Sequence, residues 1–144
     1  DDRGDLRAGR RVGTHDAVRA HERITGTTVG CDIGPLPASL PLPIVICMFR
    51  FAQEGLNNAF RHAQGRGQSL TAKCNGTMLQ LEVCDDGPGF EPATANATGE
   101  RLGLTGLRQR VEALGGTFTI LSQPGGGTRL MALFTLNEAG SENA

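Results

Sequence analysis

The chain has 144 residues and a formal net charge of -1, enough length for one domain with a sizeable core and no bulk attraction to nucleic acid or an acidic membrane. Trp and Tyr are absent, which removes the usual stacking platforms for single-stranded nucleic acid. No apolar run approaches the about 20 residues that span a bilayer, and no signal peptide opens the chain.

Residues 1–13 are rich in Arg, Asp and Gly and lack periodicity, which predicts a flexible N-terminal remnant of something longer. A helix is expected from His15 to Ile24, with Thr14 as its N-cap and Gly26 at its end. Thr27–Ile33 reads as a short strand, and the proline-rich stretch 34–43 as a rigid connector. A long helix follows from Ile44 to Ala63, its apolar residues Val45, Met48, Ala52, Leu56, Ala59 and Ala63 keeping close to a 3.6-residue period. Ser69–Cys74 and Met78–Cys84 form a hairpin around Asn75-Gly76. Residues 85–103 make a long irregular loop of the kind that usually carries function. A further helix spans Leu104–Leu114 and stops at Gly115-Gly116. Strands Thr117–Leu121 and Thr128–Leu136 close the domain, and 138–144 form a disordered tail. This order predicts an α+β fold, a two-layer α/β sandwich whose mixed sheet carries its helices on one face. It lacks the strand–helix alternation of a dinucleotide fold.

The four cysteines, Cys31, Cys47, Cys74 and Cys84, contain no C-x-x-C pair. They are expected as reduced core thiols in a cytoplasmic setting rather than as a zinc or redox site.

Four segments carry chemistry. Glu54 and Asn58 lie four residues apart, hence on one helical face, where two oxygen-bearing side chains suit a hard cation such as Mg²⁺. Arg61 lies one turn on, placed to meet an anion, and a metal with an anion suggests a nucleotide. The run Asp85-Asp86-Gly87-Pro88-Gly89 ends an apolar strand. A carboxylate there can accept from an exocyclic amine such as that of adenine, and the glycines allow close approach of a flat ligand. Glycines of 99–107 lead into a helix start, whose free N–H groups suit phosphate. Gly125-Gly126-Gly127-Thr128 links two strands and reads as a tight turn, with Thr128 a candidate to touch phosphate or support the glycine loop. Each segment alone also fits an amphipathic helix, a turn or a helix start with no ligand.

Together and in this order the segments resemble the ATP-binding domain shared by gyrase, heat-shock chaperones, sensor histidine kinases and MutL, known as the Bergerat fold. Phe49–Ala63 looks like its N box, Asp85–Gly89 its G1 box and Gly99–Leu107 its G2 box. Gly106-Leu107-Arg108-Gln109-Arg110-Val111-Glu112-Ala113-Leu114-Gly115-Gly116 resembles the helix of the NarL-partner class of sensor histidine kinases. The likeness covers residues 14–136, within a catalytic domain expected to span 14–137.

The resemblance implies ATP and Mg²⁺ as ligands. It implies Asn58 as metal ligand, with Glu54 supporting the metal or polarising the attacking group. Arg61 and His62 would face phosphates or ribose, Asp85 would read the adenine amine, and Gly87 and Gly89 would shape its pocket. Gly103, Leu104 and Gly106 would form the phosphate loop and the hinge of an ATP lid. Asn57, beside the metal candidate, is a bystander by helical phase. The implied activity is delivery of the γ-phosphoryl group to a histidine on a dimerisation and phosphoacceptor domain, then to a response regulator. The parent would be a homodimer, with this piece cytoplasmic even where the parent is membrane-anchored. Arg101 stands where many such kinases carry a second lid glycine, and 90–101 make a short lid. His15-Asp16 resembles an acceptor box, but the strand and connector before Glu54 leave no room for the second helix such a box needs. His15 and His21 are therefore expected at the surface of the first helix. An anti-sigma-factor-like serine kinase and a non-catalytic interaction module of the same fold are the alternatives.

Overall fold

The computed structural model describes residues 2–89 and 102–136, with side chains from residue 13 in the first helix and from residue 104 in the third. Its elements are α1 (Asp2–Thr25), β1 (Gly30–Ile33), α2 (Leu42–Ala63), β2 (Ser69–Asn75), β3 (Met78–Asp85), α3 (Leu102–Ala113), β4 (Thr117–Ser122) and β5 (Thr128–Thr135). The strands form one sheet in the order β1-β2-β3-β5-β4. β1 pairs in parallel with β2, and every other pairing is antiparallel.

Period-two patterning decides which sheet face is covered. In β3, Leu79, Leu81 and Val83 are buried and Gln80 is exposed. In β5, Leu130, Ala132 and Phe134 are buried while Arg129 and Leu133 are exposed. The buried sets face the helices and meet Met48, Phe51, Ala52 and Leu56 of α2 and Leu107 and Val111 of α3 in one core. Phe51 meets Phe118 of β4 edge to face, centroids 6.4 Å apart. Close docking of α2 on β3 depends on Gly55, since a Cβ there would sit 3.0 Å from a methyl of Val83. On the opposite sheet face Arg129 pairs with Glu82 at 2.9 Å across β5 and β3.

Several boundaries differ from expectation for local reasons. α1 starts at Asp2, so Thr14 is a buried interior residue and caps nothing. β1 holds only the four residues that pair with Ser69–Ala72. α2 starts at Leu42, because Pro43 is tolerated in a first turn whose N–H groups have no helical partner anyway. Asn75 pairs with Met78, which moves the two-residue hairpin link to Gly76-Thr77, with Gly76 at φ +65°. His21, expected at the surface, is 6% exposed and held inside by hydrogen bonding to Gln68. Cys47 alone of the four thiols is buried, whereas Cys31 is exposed on the edge strand; all four are free. The lid residues 90–101, Arg101 among them, and the tail 138–144 lie outside the described residues.

Candidate functional site

The buried phase of β3 runs through Leu79, Leu81 and Val83 to Asp85, so the last residue of the strand aims a carboxylate toward the helix-covered side. β5 does the same from the other end: Thr128 shares the phase of Leu130, Ala132 and Phe134. Asp85 and Thr128 are register partners, and both are 7% exposed. Two polar residues thus end two neighbouring core strands side by side, each continuing an apolar face. Thr128 is thereby assembled with Asp85, and its hydroxyl lies 3.0 Å from that of Ser122, which also donates to the Gly127 carbonyl at 2.9 Å. Ser122 was not foreseen; its only sequence signal is its place at the end of β4, opposite Thr128.

The chain after Asp85 is drawn tightly around the strand end. Gly87 N–H donates to Asp85 Oδ1 at 2.8 Å, which fixes the carboxylate at the strand end. A Cβ on Gly87 would overlap Ala63 at the end of α2, and one on Gly89, at φ +67°, would overlap the Gln123 carbonyl. Gly127, at φ +76°, lies against the Asp85 carbonyl in the same manner. The Gly125 N–H donates to the Pro88 carbonyl at 2.5 Å, and the Asp86 N–H to the Arg66 carbonyl at 2.9 Å. The Asp85–Gly89 loop is thus clasped by the β4–β5 turn on one side and by the turn after α2 on the other. A cavity of about 480 Å³ opens at this strand end, bordered by Asp85, Asp86 and Thr128 and, from the sheet face away from the helices, by Cys84, Leu121 and Arg129.

α2 supplies the second half. Its contacts with Val83 through Gly55 and with Gly87 through Ala63 lay the helix along β3 toward the Asp85 loop. Asn58 lies between those two contact points and is 6% exposed, whereas Asn57 is exposed. Helical phase therefore turns Asn58 inward and Asn57 outward. Glu54, one turn before Asn58, is half-buried, as is His62, while Arg61 is exposed near the helix end. Leu104 is buried in the core, so its side chain anchors the start of α3 against the sheet. Gly106 is half-buried with open space around its Cα, and Gly103 belongs to the first turn of α3. Among the described residues no group of three or more His, Cys, Asp or Glu side chains gathers as a metal cage.

The family described as the histidine kinase-, DNA gyrase B-, and HSP90-like ATPase matches residues 46–139. The chain belongs to that family. Its α+β fold, with helices covering one face of a mixed five-stranded sheet, is that of the family's histidine kinase members. The signal transduction histidine-protein kinase/phosphatase UhpB of Salmonella typhimurium is 43% identical over 75 residues, which are 52% of this chain and 14% of that protein. DegS of Bacillus subtilis, also a signal transduction histidine-protein kinase/phosphatase, is 33% identical over 87 residues, 60% of this chain and 23% of that one. The histidine kinase domain of the Erythrobacter litoralis EL346 blue-light activated kinase superposes with a TM-score of 0.71 at 22% identity, covering 85% of this chain and 59% of that one. The chain spans between a seventh and a quarter of the length of these two curated relatives. Within this ATPase family the relatives are sensor kinases, so the serine-kinase alternative is not favoured. No helix among the described residues is long and apolar enough to cross a membrane.

Proposed function

We propose that this chain is the catalytic domain of a two-component sensor histidine kinase. It would bind Mg·ATP and present the γ-phosphoryl group to a histidine on a separate phosphoacceptor domain. The single observation that carries the reading is the paired, buried Asp85 and Thr128 at the strand ends, with Asn58 turned inward on the adjoining helix. Asp85, with one oxygen held by the Gly87 N–H, would accept from the adenine amine, and Thr128 and Ser122 would complete the polar edge of that pocket. Gly87 and Gly89 keep the backbone close enough for a flat base to lie against it.

The donor set suits Mg²⁺. An amide and a carboxylate one turn apart are hard oxygen ligands, and Mg²⁺ is commonly held by one or two side chains plus substrate phosphates rather than by a protein cage. Asn58 would hold the ion, with Glu54 beside it. When bound, the ion supplies charge neutralisation for the phosphates. Arg61 and His62, at the end of α2, would meet phosphate or ribose oxygens. Gly103 and Gly106 would let the start of α3 take phosphate on its N–H groups. Catalysis in such a site is positioning and electrostatics rather than covalent chemistry.

The partners of this reading are the dimerisation and phosphoacceptor domain of the same kinase, in a homodimeric parent, and a response regulator. The test supplies γ-labelled ATP to this chain with and without a separately made phosphoacceptor domain from its parent. Acid-labile, base-stable label on that domain, appearing only when both are present, is expected. Acid-stable label on serine would point to the serine-kinase reading instead, and tight nucleotide binding with no transfer to any acceptor would leave the non-catalytic module.

A further inference from the structure

His21 lies outside the nucleotide site, yet it is bonded to the turn that holds one side of it. Its Nε2 is 3.1 Å from Gln68 Oε1, across 47 positions of sequence. Gln68 Nε2 donates to Thr27 Oγ1 at 2.7 Å and to the Thr28 carbonyl at 2.9 Å. A carbonyl only accepts, so the Gln68 amide must point its NH₂ at Thr28 and its oxygen at His21. His21 therefore carries a proton on Nε2 and donates it. The chain continues without an unmet group: Thr25 Oγ1 donates to the His21 carbonyl at 2.7 Å and stands 2.6 Å from Thr27 Oγ1. The His21 ring also meets Phe60 of α2 edge on, centroids 6.3 Å apart. His21 and Gln68 are 6% and 4% exposed, so an unmade bond here leaves a buried donor without water.

The same turn grips the Asp85 loop from its other side. Gln68 N–H donates to the Gly65 carbonyl at 3.3 Å, Asp86 N–H donates to the Arg66 carbonyl, and Gly67, at φ +59°, leaves room only for the Asp86 carboxylate. Residues 65–68 are thus a short hydrogen-bonded bridge with α1 on one end and the residue next to Asp85 on the other.

We propose that His21 is a positioning residue for the nucleotide site: through Gln68 it couples the placement of α1 to that of the Asp85 loop. A partner that shifts α1 then gains control over nucleotide affinity. The inference rests on the reading of Asp85 as the base-recognising carboxylate.

The test titrates ATP into the full chain and its variants while following melting temperature. His21→Leu and Gln68→Leu are each expected to weaken binding by about threefold to tenfold. The double variant should be no weaker than the worse single one, because both break the same link. His21→Gln, which keeps a donor toward Gln68, should bind within about twofold of the parent. Val18→Ala, a core truncation on α1 that removes no hydrogen bond of the network, should melt earlier yet bind ATP as the parent does. Should the leucine variants fail to fold, Thr27→Val removes one acceptor of Gln68 and should weaken binding by about twofold. Parent-like affinity in the folded network variants, or an affinity loss that follows melting temperature through Val18→Ala as well, overturns the coupling alone. A parent chain that binds no nucleotide overturns both the coupling and the site reading beneath it.

Discussion

Asp85 shows how a residue's role can follow from phase. It is the fourth of the alternate residues Leu79, Leu81, Val83 and Asp85, and the only polar one, so strand geometry delivers a carboxylate to the covered face. Its place at the end of an apolar strand was legible in the sequence, as was the helical face that Asn58 shares with Glu54 and Asn57 does not. His21 was not. Its neighbours Arg19, Glu22 and Arg23 read as a solvated face, and the partner that pulls it inside stands in another element. Gly87 carries a sharp prediction at this scale. Gly87→Ala would press a methyl into Ala63, which should cost about 1–3 kcal/mol and displace the loop, so urea unfolding and nucleotide affinity should fall together. The thiols carry another. Burial, opposed in part by Arg110, raises the pKa of Cys47, and burial likewise raises those of Cys31 and Cys84. In the unfolded chain these thiols ionise near the ordinary value of 9.0, while the folded ones stay protonated to higher pH. Their contribution to stability is thus complete below 9.0 and is lost as pH rises through the folded values. The urea midpoint should fall between pH 8 and pH 10, and less so in Cys47→Ala.

At the scale of elements, the glycine pair that ends α3 divides its labour. Gly115 takes φ +82°, and the Gly116 N–H donates to the Val111 carbonyl to close the helix. Gly116 is needed for space instead, since a Cβ there would meet the Phe134 ring at 2.7 Å and Val111 at 2.9 Å. Gly115→Ala should cost about 1–2 kcal/mol through backbone strain, and Gly116→Ala about 1–3 kcal/mol through overpacking. The two are separable, because Gly115→Asn should recover most of the loss and Gly116→Asn none; chemical denaturation reads both. Arg108 ties the same helix to β4, donating to the Phe118 carbonyl at 3.0 Å with its guanidinium 5.1 Å from the Phe118 ring centre. The elements themselves were legible because apolar periodicity and glycine stops are local signals. The ends of α1 and β1 were less so: an unpatterned arginine-rich start gives no boundary, and β1 is as long as its pairing with β2, which no local pattern states.

At the scale of the molecule, the topology converts scattered motifs into one site. β3 and β5 are neighbours though α3 and β4 lie between them in sequence, and this adjacency alone brings Thr128 to Asp85. The family was readable from motif order, whereas the pairing of Thr128 with Asp85 and the support from Ser122 needed the sheet. Calorimetric titration of ATP, with and without Mg²⁺, into the parent chain and Asp85→Asn tests the central claim most directly. The account predicts one-site binding tightened by Mg²⁺ in the parent. In Asp85→Asn it predicts affinity about tenfold to hundredfold weaker at an unchanged melting temperature, as expected for losing a hydrogen bond to a charged acceptor. Parent-like binding in Asp85→Asn, or no binding by the parent, would contradict it.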